Sequence, residues 1–148
     1  MNINFVDTEY SDERADEIDE WFSGVSKDFA ASSQYKQLTK SQKKHGLFMI
    51  SCFYDLCYSY CLTGPGEVDE GVIDEICLLM MPRKISEGKA AYEAFAPSIE
   101  QFWLWCEAEG HMQSTKDNRY HVHEVAPLMI ENSQDPECWG MAKSMLIG

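Results

Sequence analysis

At 148 residues, with 45% apolar residues that include four Trp, seven Tyr and seven Phe, the chain can bury the core of one domain and is excluded from the intrinsically disordered class. Its formal net charge of −13 disfavours direct binding to nucleic acid or to a membrane surface and favours a basic protein partner. Half of that charge is local, because residues 1–20 carry eight carboxylates against the single base Arg14.

Residues 1–10 form a short acidic arm whose Ile3 and Phe5 alternate too briefly to make a strand. No Lys or Arg leads into an apolar run there, so no secretory signal is read and a cytoplasmic location is expected. Ser11 is suited to cap a first helix, with Asp12, Glu13 and Asp16 at its positive end. Ile18, Trp21, Phe22, Val25 and Phe29 then give it one apolar face. A polar stretch with Lys36, Lys40, Lys43 and Lys44 leads to the segment Leu47–Leu62, in which thirteen of sixteen residues are apolar. The exceptions Ser51, Asp55 and Ser59 are four apart, so they form one narrow polar seam on a helix over about 41–62 that is otherwise buried. Thr63, Gly64, Pro65 and Gly66 end this helix.

A third helix is expected from Glu67 to Met81, with Val68, Val72, Ile76, Leu79 and Met80 inward, stopped by Pro82. A fourth runs from Ser86 to Glu109 with a kink or a restart at Pro97. Thr115 to Asn132 follows, with Val122, Val125, Leu128 and Met129 inward and a similar break at Pro127. Asp135 and Pro136 open a short last helix, from which Trp139, Ala142 and Leu146 or Met145 dock inward. The pattern predicts an all-α fold: a compact orthogonal bundle of five to seven helices around the central apolar helix, in one domain over residues 1–148. No internal repeat or long linker divides it.

The segment Asp135-Pro136-Glu137-Cys138-Trp139-Gly140-Met141-Ala142-Lys143-Ser144 resembles the closing segment of small helical bacterial proteins that remain functionally uncharacterised, which end in D-P-x-x-W-G-x-A-K-S. The resemblance covers at most the last third of the chain. It implies an all-helical fold and carries no activity, substrate or catalytic residue.

Chemistry-bearing signals are sparse. The cysteines at 52, 57, 61 and 77 lie among apolar helix positions, which predicts reduced structural thiols, and no C-x-x-C pair occurs. His121 and His123 point about 200° apart on a helix and cannot both face one ion. The pairs His121 with Glu124 and Glu107 with His111 supply two ligands each where zinc wants three or four, so no metal or other cofactor is expected. No nucleophile-elbow, zincin, Walker or dinucleotide pattern is present. Asp55 is the sole charge in its segment; the exposed edge of the helix is its expected place, with a buried pair or a functional acid as alternatives.

These features predict a non-enzymatic protein-binding module, an acidic inhibitor of a basic protein such as an immunity protein, antitoxin or anti-defence factor. Its candidate partner-binding residues are Asp12, Glu13, Asp16, Glu17 and Glu20 in the first patch, and Asp69, Glu70 and Asp74 in the second. Two other classes stand beside it. One is an acidic nucleic-acid mimic; the other is a small enzyme with a helix-lined pocket around Asp55, the nearby tyrosines and one of His111, His121 or His123.

Overall fold

The computed structural model describes residues 1–147 and is built from helices: α1 (Asp12–Ala30), α2 (Ser33–Lys36), α3 (Lys40–Cys61), α4 (Glu70–Glu75), α5 (Met81–Lys84), α6 (Lys89–Ala108), α7 (Lys116–Gln134) and α8 (Met141–Ile147). Among the described residues no strand forms beyond an isolated antiparallel bridge between Val6 and Thr63. No described helix is long and apolar enough to cross a membrane.

The central helix is α3. Its start carries a reciprocal cap, in which Gln42 N–H donates to Thr39 Oγ1 (3.2 Å) and Thr39 N–H donates to Gln42 Oε1 (2.9 Å). It packs against α6 over most of its length and also against α1 and the end of the α4–α5 run. Met49, Ile50, Phe53, Tyr54, Cys57 and Tyr58 are buried, whereas Ser51, Asp55 and Ser59 stay at least partly exposed along the expected seam. Around them an aromatic core packs edge to face or tilted, with Phe22, Phe29, Tyr54 and Phe102 at centroid separations of 5.3 to 6.2 Å. The buried indole of Trp103 donates to the Tyr54 hydroxyl at 2.8 Å, which satisfies both polar atoms inside that core.

The helix ends differently from the sequence expectation. Leu62, not a glycine, takes the left-handed position at φ 53°. The N-terminal arm covers this turn: Asp7 N–H donates to Leu62 O, Gly64 N–H to Phe5 O and Gly66 N–H to Ile3 O, each at 2.9 Å. The arm is therefore pinned to the fold.

Pro82 does not stop the third helix. α4, one π turn (Ile76–Met80) and α5 form a continuous run, and Met81 N–H reaches Ile76 O five residues back. A proline cannot bond the carbonyl four residues earlier, and that carbonyl, Leu78 O, accepts instead from Asn132 Nδ2 of α7 at 3.0 Å. The extra residue rotates the face, so Ile73, Ile76, Cys77, Met80 and Met81 are buried while Leu79 is exposed. α6 and α7 likewise continue through Pro97 and Pro127 as single helices, and Leu128 faces solvent.

The largest departure is α8. The pattern places Ala142 and either Leu146 or Met145 inward, yet all three are exposed and Lys143 is buried in their place, at 1% exposure. Its ammonium donates to Pro82 O at 2.8 Å and lies 5.3 Å from the rings of Tyr92 and Trp139. Gly140 allows the approach: its N–H donates to Arg83 O at 2.9 Å, and a Cβ there would stand 3.1 Å from that oxygen.

Candidate functional site

The first acidic patch is organised by Tyr58, from the last turns of α3. Its hydroxyl accepts from Ser11 N–H at 3.0 Å and donates to Asp7 Oδ2 at 3.2 Å, which fixes the start of α1 over α3. Ser11 in turn caps α1 by accepting from Arg14 N–H at 3.1 Å. Arg14, the one base of residues 1–20, is fully committed. Its guanidinium bonds Asp7 (3.0 Å) and Glu17 (3.2 Å) and lies 4.0 Å above the Phe5 ring.

Glu17 is thus taken out of the candidate surface, while Asp12, Glu13, Asp16, Asp19 and Glu20 are exposed and make no ion pair among the described residues. Beside them a cleft of about 220 Å³ opens between α1 and α3, lined by Tyr10, Asp16, Asp19, Asp55, Tyr58 and Ser59 with Ala15 and Ile18 beneath. No base lines it. Asp55 is half-buried in this cleft, not at an open edge, and its carboxyl meets that of Asp19 across the helix interface. Burial first, then the hydrogen bond and charge of Asp19, push Asp55 up to about 7.

The second patch is more fully used by the fold. Asp69 caps α4 by accepting from Val72 N–H at 2.9 Å, Asp74 meets His121 Nε2 at 2.7 Å, and the Cys61 thiol donates to Glu75 at 2.9 Å. Glu70 alone of Asp69, Glu70 and Asp74 keeps an exposed carboxylate without a hydrogen bond or an ion pair.

The histidines lie elsewhere. His111 stacks on Trp105 with centroids 5.2 Å apart, His121 pairs with Asp74, and His123 contacts Glu100. None of them lines the Asp55 cleft. Among the described residues no three His, Cys, Asp or Glu side chains converge as metal ligands. The six cysteines are free, and burial raises their thiols: Cys52 to about 11, Cys61 and Cys106 to about 12. Protonated thiols of this kind are poor nucleophiles.

A larger cavity of about 560 Å³ lies between the arm, residues 65–68 and the start of α7, with Trp103, His111, Ser114 and Asn118 on its walls. Behind it Glu107 accepts from both the N–H and the hydroxyl of Thr115, and Arg119 donates to Thr115 Oγ1 at 2.9 Å. These bonds to the ionised form hold Glu107 below the usual carboxylate range. No sequence pattern marks this network, whose members come from two helices and the loop between them. Asp19 was also missed, although its place beside Ile18 put it at the border of the docking face of α1.

Comparison with protein-family models, with curated proteins and with solved structures finds no match to this chain.

Proposed function

We propose that the chain is a non-catalytic, acidic protein-binding module whose α1 face and adjoining cleft receive the cationic side chains of a basic protein. The observation that carries this reading is the convergence of three carboxyl groups in a cleft that no base lines. Arg14 is spent on Asp7 and Glu17, and Asp16, Asp19 and Asp55 share a cleft without a base. A lysine or arginine entering there would replace a repulsion with an attraction, and long-range steering by Asp12, Glu13 and Glu20 would speed the encounter. An inhibitor of a basic protein, of the immunity, antitoxin or anti-defence kind, fits this chemistry, and a reducing cytoplasm fits six free thiols.

The test is a titration of the isotopically labelled protein with an arginine-rich peptide, followed by NMR at low and high salt. Shifts are expected at Tyr10, Asp16, Asp19 and Asp55, weakening with salt and lost in the variant Asp16→Asn, Asp19→Asn, Asp55→Asn. A peptide that binds this variant equally well, or that shifts residues away from α1, overturns the reading.

A further inference from the structure

The middle of α7 is held to two different helices by two imidazoles. His121 Nε2 lies 2.7 Å from Asp74 Oδ1 on α4, and its Nδ1 lies 3.5 Å from Glu124 on α7 itself. Two residues on, His123 Nε2 contacts Glu100 on α6. The roughly opposite directions of positions i and i+2 on a helix, which prevent the pair from sharing a metal ion, let each grip a separate neighbour.

We infer that α7 is an acid-tightened helix: uptake of a proton by His121 turns its contact with Asp74 into an ion pair that draws the middle of α7 onto α4. This inference does not rest on the proposed partner.

The surroundings favour a charged imidazole at His121. Asp74 and Glu70 on α4 and Glu124 on α7 face His121. The cleft beside His123 holds Glu70, Glu100 and Asp117 against Lys116 and Arg119, and Arg119 is directed to Glu107 at 3.6 Å. Burial opposes the charge on His121, but the hydrogen bond and charge of Asp74, then Glu124 and Glu70, outweigh it and raise its affinity for a proton. A raised imidazole contributes stability that is full below its ordinary value of about 6.5 and is lost as pH rises through the higher folded value. The fold therefore tightens as pH falls through neutrality.

Of the polar links of α7 other than the two imidazoles, the Arg119–Glu107 pair at 3.6 Å contains a carboxyl held below its usual range, away from neutrality, and the rest contain no titrating group. Asn118 donates to Val68 O at 2.8 Å near its start and Asn132 to Leu78 O at 3.0 Å near its end. These bonds and the buried Val122, Val125 and Met129 keep the helix in place at any pH, so the device adjusts its middle turns and does not release it.

The experiment is amide hydrogen exchange on the full chain at pH 6 and pH 8, corrected for intrinsic rates, with an NMR titration of the histidine rings. In the wild type, amides around residues 120–126 are expected to open several-fold less often at pH 6, and His121 to titrate above about 6.5. In the variant His121→Gln that difference disappears, while the pH response of α1 and α3, which comes from Asp55, remains. A His121 ring titrating at or below its ordinary value, or a His121→Gln variant that keeps the wild-type pH response in α7, overturns the inference. The ring titration is read on the wild type and stands even where the variant folds poorly.

Discussion

Gly46 on α3 lies directly against Ser98 on α6, the two longest helices: a Cβ built on Gly46 would stand 2.2 Å from Ser98 Oγ and 2.7 Å from Ser98 Cβ. The buried glycine has no conformational reason to be there, since α3 is regular. Its role is steric. Ser98 is 1% exposed, and its hydroxyl is the buried side-chain polar atom left without a hydrogen-bond partner among the described residues.

Gly46→Ala is accordingly expected to destabilise the fold by about 1 to 3 kcal/mol, despite the better helix propensity of alanine. Adding Ser98→Gly should recover part of the loss, because it removes both clashing atoms, whereas Ser98→Ala should recover little. Urea unfolding of the single and double variants measures the coupling; additive losses would show that the two helices can move apart at no cost.

The central helix was legible because thirteen apolar residues interrupted at a spacing of four leave one possible orientation. Within it the structure separates two residues that the pattern treats alike: Phe53 is fully buried and Leu56 only partly. Phe53→Ala is expected to cost about 3 to 5 kcal/mol and Leu56→Ala about 1 to 2 kcal/mol in chemical denaturation. Equal losses would place Leu56 in the core proper.

What the sequence left hidden depends on partners distant along the chain. Pro82 reads as a stop until Asn132, fifty-four residues from Leu78, supplies the donor that the proline's imide nitrogen cannot offer to Leu78 O. Asp55 reads as an edge residue until Asp19 arrives from another helix, and Lys143 reads as solvent-facing until Pro82 O and two aromatic rings enclose it. In each case hydropathy periodicity describes one helix, and the deciding atom belongs to a second.

The Asp19–Asp55 pair gives the fold a pH dependence of definite sign. Asp55 is raised to about 7 in the folded chain, against an ordinary value of about 4. The folded state therefore holds a proton that the unfolded chain has released, so the associated stability is full below about 4 and lost as pH rises through about 7. Asp55→Asn imitates the protonated carboxyl at every pH. The variant should be more stable than the wild type at pH 8 by on the order of 1 kcal/mol, a value reduced for solvent screening of a half-exposed group, and the gap should narrow at pH 5. A gap of the same size at both values would mean that Asp55 is ionised throughout.

Lys143 separates packing from charge in the docking of α8. Its ammonium is enclosed by Pro82 O, the Tyr92 hydroxyl at 3.5 Å and the rings of Tyr92 and Trp139, with no carboxylate in contact among the described residues. Burial accordingly lowers its affinity for the proton. A lowered lysine favours folding least where it must carry its charge, so docking strengthens as pH rises toward the ordinary lysine value. Lys143→Met keeps the length of the side chain and removes the charge; it should leave stability within about 1 kcal/mol of the wild type at pH 7, because relief from desolvation offsets the lost bond to Pro82 O. Lys143→Ala should cost about 2 kcal/mol and loosen α8, visible as faster amide exchange at Lys143 and Ser144, since it empties the space against Tyr92 and Trp139. If the methionine variant loses as much as the alanine one, the hydrogen bond to Pro82 O and the cation–π contacts, not the packed stem, hold the C-terminal helix.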